Sequence, residues 1–214
     1  LHSFPTRRSS DLQVVVKVQR PGIADIIRVD LDILAEVAGI LDRRSPWANL
    51  YDFSEAVGEF AETIREELDF RLEGQNADRF QRNFTDDPRV RFPRVYREYT
   101  TGNMLVLEFI DGTKITEVER LEEAGLNRPE LAGTLVQSLL KQAFVDGFFH
   151  GDPHPGNILV DGHGKIVFLD LGMVGYLDGR TRTKLAGLIL GIVKRRPARI
   201  VAARSEEHTS ELQS

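Results

Sequence analysis

The chain has 214 residues, of which 41% are hydrophobic and 29% charged, and its formal net charge is −5. This mild acidity argues against a nucleic-acid-binding protein, which would carry a basic stripe. The absence of cysteine excludes a disulfide framework and a thiolate metal site, and the longest apolar run, residues 185–193, is far shorter than the roughly 20 residues of a membrane-spanning helix.

The two ends differ from the rest of the chain. Residues 1–12 and 204–214 have no hydrophobic period, and both read like in-frame translations of sequencing adapters. The alternative is a disordered natural tail at each end. We therefore expect both ends to be non-native and residues 13–203 to be one or two domains from a longer protein.

The first half of the chain predicts one strand and two helices. Residues 13–18 (QVVVKV) form a β-branched run closed by Arg20-Pro21-Gly22, which is typical of a buried strand that ends in a turn. Apolar residues recur at helical spacing in residues 24–44, where Pro46 stops the pattern, and again from residue 52 to about 84.

The second half predicts two strands, a helix, a hairpin and a last helix. The strands are residues 94–99 and 104–110, and the helix is most evident over residues 128–148. The hairpin joins residues 158–160 to 165–169, and a helix covers about 179–195. This order predicts an α+β fold with two lobes rather than one layered sheet.

One cation and a group of carboxylates stand out in the first half. Lys17 lies in a strand otherwise made of valine, so it either faces water from an edge strand or is buried beside a carboxylate. Glu66, Asp69 and Glu73 would share one face of a continuous helix. Such a face is usually solvated, but a buried lysine upstream favours an inward-pointing glutamate.

Residues 150–172 (HGDPHPGNILVDGHGKIVFLDLG) carry the other candidates. Asp152 precedes Asn157 by five positions, and Asp170 follows an apolar strand. Carboxylate and amide oxygens suit Mg²⁺ with phosphates, and a further carboxylate can accept a hydroxyl proton. Each residue has an ordinary explanation as a turn or helix cap; His150 is expected to brace the loop, and His163 to be a turn residue.

Taken in order, these features follow the protein-kinase-like series. The series has a strand lysine, a helix glutamate, an H-x-D-x-x-x-x-N loop and a D-x-G segment. Here His-Gly-Asp replaces His-Arg-Asp and Asp-Leu-Gly replaces Asp-Phe-Gly. These differences point away from ordinary protein kinases.

The sequence resembles the UbiB/AarF atypical kinases, a family linked to ubiquinone and other prenyl-quinone lipid metabolism. The resemblance covers essentially all of residues 13–203. Its matching segments are VVVKVQRPG (14–22), ELDFRLEGQN (67–76), LVLEFIDG (105–112), HGDPHPGNILV (150–160) and FLDLG (168–172).

This resemblance implies a role for each candidate residue. It implies a bilobal kinase-like fold with a partial N-lobe (13–110), a mostly helical C-lobe (111–203), and ATP and Mg²⁺ as cofactors. In complete members the E-x-D element faces an N-terminal extension folded over the active site. The implied roles are an ion pair of Lys17 with Glu73, an adenine-contacting hinge at Glu108, Phe109 and Ile110, a catalytic Asp152, magnesium ligands Asn157 and Asp170, and an E-x-D element at Glu67 and Asp69.

Two departures from the family or from protein kinases bear on activity. The phosphate-covering loop and the extension with its K-x-G-Q motif do not precede residue 13, so we expect this truncated core to bind nucleotide poorly. His154 stands where protein kinases usually place a lysine that stabilises the transferring phosphoryl group. Without that charge, transition-state stabilisation would be weaker, which argues against ordinary protein phosphorylation.

The leading hypothesis is an ATPase or lipid/quinone-pathway kinase that acts at a membrane surface. A small-molecule phosphotransferase of the aminoglycoside/choline kinase type is the first alternative, because it shares the H-G-D-x-H-x-x-N loop. A nucleotide-binding scaffold without transfer activity is the second. Expected partners are a nucleotide and, for the full-length protein, quinone-pathway proteins and a membrane; the expected location is cytoplasmic or membrane-associated.

Overall fold

The structure, a computed structural model, describes residues 2–6, 12–44 and 52–194. Its chain forms two compact units, each discontinuous in sequence. The first comprises residues 1–116 and 155–173, and the second comprises residues 117–154 and 174–214. Both contain helices and strands, as expected for the α+β class. The division expected at residue 110 and the non-native ends stay predictions.

An antiparallel sheet of three strands begins the first unit. Its order is β1 (His2–Thr6), β2 (Val14–Val18) and β4 (Met104–Glu108). Because β2 pairs with a strand on each side, with Lys17 opposite Leu105 of β4, the edge-strand interpretation of Lys17 is wrong. Lys17 therefore projects from the central strand.

Two helices follow β2. Helix α1 (Ile23–Arg44) confirms the first predicted helix, and α2 (Phe53–Glu67) begins at an Asp52 cap whose carboxylate accepts from the Glu55 N–H. Pro46, the predicted stop, lies outside the described residues. Most of the predicted apolar stripe of α1 is exposed, including Ile26, Leu34, Val37 and Leu41, and Leu31 is its buried member.

The long helix predicted from residue 52 to 84 is two helices. It breaks at Leu68 and Asp69, and α3 (Phe70–Asn83) then starts afresh. Asp69 has extended backbone angles, and its carboxylate accepts from the Arg71 N–H, so it caps α3 rather than sitting within a helix. The shared helical face expected for Glu66, Asp69 and Glu73 does not exist for this reason.

The strand predicted at residues 94–99 is also wrong. The segment contains one isolated bridge, from Val95 to Leu107. Residues 97–99 form a 3₁₀ turn, in which the Tyr99 N–H donates to the Tyr96 carbonyl over 3.1 Å. A two-residue strand, β3 (Val90–Arg91), lies upstream instead.

A second sheet of the first unit contains the predicted hairpin. Its order is β3, β8 (Ile166–Phe168), β7 (Ile158–Asp161) and β5 (Gly112–Lys114). All residues of β7 and β8 are buried. Three rings stack beside this sheet, with Phe92 centred 5.1 Å from Phe80 and 5.5 Å from Phe168. The residues at the ends of the hairpin are therefore attached to strands that are fixed in a packed core.

The second unit is mainly helical. It contains α4 (Val118–Glu123), α5 (Arg128–Leu140), a π-helical turn (Lys141–Asp146) and α6 (Gly179–Val193). A short ribbon pairs β6 (Phe148–His150) with β9 (Val174–Tyr176). The helix expected to reach residue 148 therefore stops earlier, because Gly147 takes a left-handed conformation (φ 62°).

Within the described ranges, no helix combines the length and the apolar character that crossing a bilayer requires.

Gly74 lets α3 lie close to the first sheet. A Cβ at this position would lie 3.3 Å from Val95 Cγ1 and 3.5 Å from Leu105 Cδ1. We expect Gly74→Leu to lower the free energy of unfolding by about 1–3 kcal/mol through overpacking, measured by urea denaturation. Gly58 of α2 is the control, because a Cβ there meets nothing within 4 Å. If Gly58→Leu lowered stability equally, the packing argument would fail.

Candidate active site

An ion pair between Lys17 and Glu73 is at the centre of the site. Lys17 Nζ lies 2.5 Å from Glu73 Oε1, and the two side chains are only 16% and 8% exposed. Lys17 comes from the middle of β2, and Glu73 comes from the first turn of α3. The ion pair expected from the family resemblance is thus present. The carboxylate of Glu73 compensates the charge of a lysine that lies within a valine strand.

Asp170 is the third member of this cluster. Its Oδ2 atom lies 3.6 Å from Lys17 Nζ, and its side chain is 41% exposed. Its other oxygen, Oδ1, accepts from the Gly172 N–H over 3.3 Å. The lysine therefore has one buried and one open carboxylate beside it, and the open carboxylate keeps lone pairs for a ligand.

The surroundings of Glu73 change its acidity. Burial raises the pKa of Glu73 above the ordinary value of 4.5, and the attraction of Lys17 opposes that rise. Repulsion from Asp170 adds to the increase. The charged state of the pair consequently depends on Lys17 remaining in place.

Asn157 joins Asp170 at one end of the hairpin. Asn157 directly precedes β7, and its carbonyl accepts from the Leu169 N–H over 2.9 Å. Asp170 is the next residue along, so the ladder brings the two candidate magnesium ligands to the same edge. Oxygen donors of this kind suit Mg²⁺. No cluster of three His, Cys, Asp or Glu side chains that could hold a metal occurs among the described residues.

Asn76 also contacts this edge, and sequence reasoning missed it. Its Nδ2 donates to the Leu171 carbonyl over 3.0 Å and lies 3.4 Å from the Gly172 carbonyl. The Leu171 N–H points to Glu73 Oε1 over 3.4 Å. The sequence spacing indicates this contact, because Asn76 follows Glu73 by three positions and so shares its face of α3.

The hinge residues are engaged within the protein. The Glu108 carboxylate pairs with Arg91 and accepts from the Arg94 N–H. The Phe109 N–H donates to the Gln13 carbonyl over 3.2 Å, and Ile110 is buried. The adenine contact expected of this segment stays a prediction, and in this conformation the Glu108 side chain and the Phe109 N–H already have protein partners.

The E-x-D element has a structural role in this chain. Asp69 caps α3 and pairs with Arg71 over 2.9 Å, and this hydrogen bond lowers the pKa of Asp69. Glu67 is exposed at the end of α2. The Gln19 side chain, a second residue that sequence reasoning missed, donates to the Leu68 carbonyl between them. The KVQRPG and E-x-D segments are therefore in direct contact.

Asp152 belongs to the second unit, where its loop is braced by His150. The Asp152 N–H donates to His150 Nδ1 over 3.3 Å, and the His154 N–H donates to the Asp152 carbonyl over 2.7 Å. Buried Gln142 accepts from the His150 N–H over 3.0 Å. Both Asp152 and His154 are exposed, whereas exposed His163 lies in the hairpin turn as expected.

Comparison with known proteins supports the resemblance. The profile of the ABC1 atypical kinase-like domain matches residues 4–204. Protein ACTIVITY OF BC1 COMPLEX KINASE 8, chloroplastic, of Arabidopsis thaliana is 36% identical, over 89% of this chain and 26% of its own length. The probable protein kinase UbiB of Marinobacter nauticus is 38% identical, over 86% of this chain and 34% of its own length.

A solved structure shares the fold. It is the complex of Rv3197 with erythromycin from Mycobacterium tuberculosis, which matches with a TM-score of 0.69 and 26% identity over 95% of this chain and 51% of that chain. These comparisons confirm the predicted family and the kinase-like α+β fold. The chain spans about a quarter to a third of the length of the Arabidopsis and Marinobacter relatives.

The pKa of Glu73 predicts a pH effect on stability. A carboxyl whose pKa is raised by folding stabilises the protein most below pH 4.5, and this contribution is lost as the pH rises through the raised value. We expect the free energy of unfolding of the wild type, relative to Glu73→Gln, to fall as the pH is raised through that window.

Urea denaturation at several pH values measures this difference. The matched control is Glu66→Gln, which removes an exposed carboxyl group instead of the buried one. Parallel pH profiles for the wild type and Glu73→Gln would contradict the raised pKa.

Proposed function

Because this chain belongs to the ABC1 atypical kinase-like family, we propose that it is the core of an enzyme that binds ATP with Mg²⁺ and transfers or hydrolyses the terminal phosphoryl group. One observation carries the proposal: the buried Lys17–Glu73 pair lies beside the open carboxylate of Asp170, 3.6 Å from Lys17. A fixed cation beside an exposed hard oxygen ligand is the arrangement that a metal–phosphate ligand requires.

The proposed roles follow from the chemistry of each group. Lys17, held by Glu73, would bind phosphate oxygens, and the oxygens of Asp170 and Asn157 would hold Mg²⁺. The metal, when bound, would neutralise charge on the phosphates. Asp152 would accept the proton of the attacking hydroxyl group or water. Its exposed position within its own unit leaves the carboxylate open to solvent.

The acceptor is proposed to be water, a lipid or a quinone precursor rather than a protein hydroxyl. His154 supplies no fixed charge where a protein kinase usually has a lysine, so phosphoryl transfer to peptides would be poorly stabilised. Association of the complete polypeptide with quinone-pathway proteins and a membrane surface is part of the same proposal.

A small-molecule phosphotransferase is the second candidate function. The shared H-G-D-x-H-x-x-N loop supports it, and Rv3197 of Mycobacterium tuberculosis was solved in complex with erythromycin. A compact organic acceptor would then replace the lipid. The KVQRPG and E-x-D segments contact each other through Gln19 and Leu68. Because both segments carry the resemblance to the quinone-linked family, they favour the lipid-pathway hypothesis over this second candidate.

Replacing Asp170 tests the metal site. In the complete polypeptide that contains this sequence, saturating Mg–ATP should raise the midpoint of thermal unfolding by about 5–10 °C. Asp170→Asn should lose most of this rise, because it removes the charged ligand. Exposed Asp86 of the same unit provides Asp86→Asn as the control. Equal shifts in the wild type and Asp170→Asn would exclude Asp170 as a metal ligand.

Turnover tests the acceptor and the base. We expect a quinone-headgroup mimic in lipid vesicles to stimulate ATP consumption, whereas peptides and aminoglycosides should not. Asp152→Asn should lower kcat by about 10²- to 10⁴-fold, the usual contribution of a general base, with Mg–ATP binding retained. Stimulation by aminoglycosides would support the second candidate, and an unchanged rate in Asp152→Asn would remove its catalytic role.

A further inference from the structure

We propose that Asn76 is a positioning residue that clamps the Asp-Leu-Gly segment to α3 and thereby fixes the carboxylate of Asp170 for its metal. This inference rests on the proposed function, because it assigns the support of the same metal site. It concerns an amide that lies outside the kinase-like series of lysine, glutamate, aspartates and asparagine on which the site was identified.

The first step is the direction of the Asn76 amide. Its nitrogen faces two carbonyl oxygens, at 3.0 Å on Leu171 and 3.4 Å on Gly172. Since carbonyls only accept hydrogen bonds, the donor end of the amide must point towards them. A side chain with only acceptor atoms would be repelled at this position.

The second step concerns the backbone segment that carries these two carbonyls and its link to Asp170. Asp170 precedes Leu171, and Asp170 Oδ1 accepts from the Gly172 N–H over 3.3 Å. The orientation of the carboxylate is therefore set by the backbone of the two residues that Asn76 binds. Its second oxygen remains directed towards Lys17, 3.6 Å away. Displacing the segment would move the metal ligand relative to the phosphate-binding cation.

The third step is that α3 contacts both backbone polar groups of Leu171, its N–H and its carbonyl. Glu73 faces the Leu171 N–H over 3.4 Å, while Asn76 binds the carbonyl of the same residue. Glu73 also makes the ion pair with Lys17. One turn of helix thus fixes the lysine and the metal-binding segment together, so movement of α3 would change both at once.

The burial of Leu171, which is 1% exposed, offers a competing explanation. If apolar packing alone fixed the segment, Asn76 would contribute nothing to the position of Asp170. The two explanations differ in what happens when the amide is removed while Leu171 is kept.

Two variants and one matched control separate these explanations. Asn76→Ala removes the donor from a half-buried helix position that alanine suits, and Asn76→Asp keeps the size but presents acceptor oxygens. Gln75→Ala is the control, because Gln75 is an exposed amide on the same helix whose side chain makes no hydrogen bond within the described residues. Circular dichroism and thermal unfolding verify that each variant folds.

Hydrogen exchange is the first measurement and needs no nucleotide. Both Asn76 variants should speed exchange of the Leu171 and Gly172 amides by about 10-fold, as expected for the loss of hydrogen bonds that hold the segment. The amides of β8 (Ile166–Phe168) should be unchanged, and Gln75→Ala should match the wild type. Unchanged exchange at residues 171 and 172 would overturn the clamp and leave packing by Leu171 as the explanation.

Magnesium dependence is the second measurement. In the complete polypeptide, the Mg²⁺ concentration that half-saturates the ATP-induced thermal shift should rise by about 10-fold in Asn76→Ala. ATP binding in the presence of EDTA should stay at the wild-type level, because Lys17 and Glu73 remain. An equal loss with and without Mg²⁺ would indicate general destabilisation and contradict a positioning role.

The two measurements also separate this inference from the proposed function. A wild-type protein that gives no shift with Mg–ATP would refute the proposed function and the metal role assigned to Asn76. The exchange rates at residues 171 and 172 would still decide whether Asn76 holds the segment.

Discussion

The structure of the first unit depends on the burial of one ion pair. An ammonium group inside a valine strand is costly unless a carboxylate accompanies it, and Lys17 meets that condition through Glu73 at 2.5 Å. The cost of burial is visible in Glu73 itself, because burial raises the pKa of its carboxyl group. Every element that brings β2 and α3 together therefore contributes to keeping these two charges paired and to the cluster that they form with Asp170.

The break between α2 and α3 allows that pairing. The junction between the two helices is anchored to residues next to the ends of β2 and β4. The Phe70 N–H donates to the Gly102 carbonyl over 3.0 Å, and the Gln19 side chain donates to the Leu68 carbonyl. The close approach at Gly74 then seats α3 against Leu105 of β4. Capping, anchoring and close packing together determine where the glutamate lies.

Prediction from sequence succeeded where a local pattern controlled the structure. The β-branched run of β2, the 3.6-residue period of α1 and the turn between β7 and β8 each carry their own signal. It failed at residues 68–69 and 94–99. In the first case an aspartate that could occupy a helix interior serves as a cap, and in the second a β-rich segment closes into a 3₁₀ turn beside β4. Both segments also contact residues far away in the sequence, Gln19 and Gly102 in the first case and Leu107 in the second, which the local pattern does not contain.

The sequence by itself determined the chemistry available: the order of lysine, glutamate, loop aspartate, asparagine and final aspartate, and hence the family. Only the tertiary structure decided which of these groups meet. It placed Lys17 on a central strand, turned Glu73 towards it, committed the Glu108 carboxylate to Arg91, and set the amide of Asn76 on the carbonyls beyond Asp170. The physical reason is that motif order fixes the identity of side chains, whereas their distances depend on strand pairing, helix breaks and packing between residues far apart in the chain.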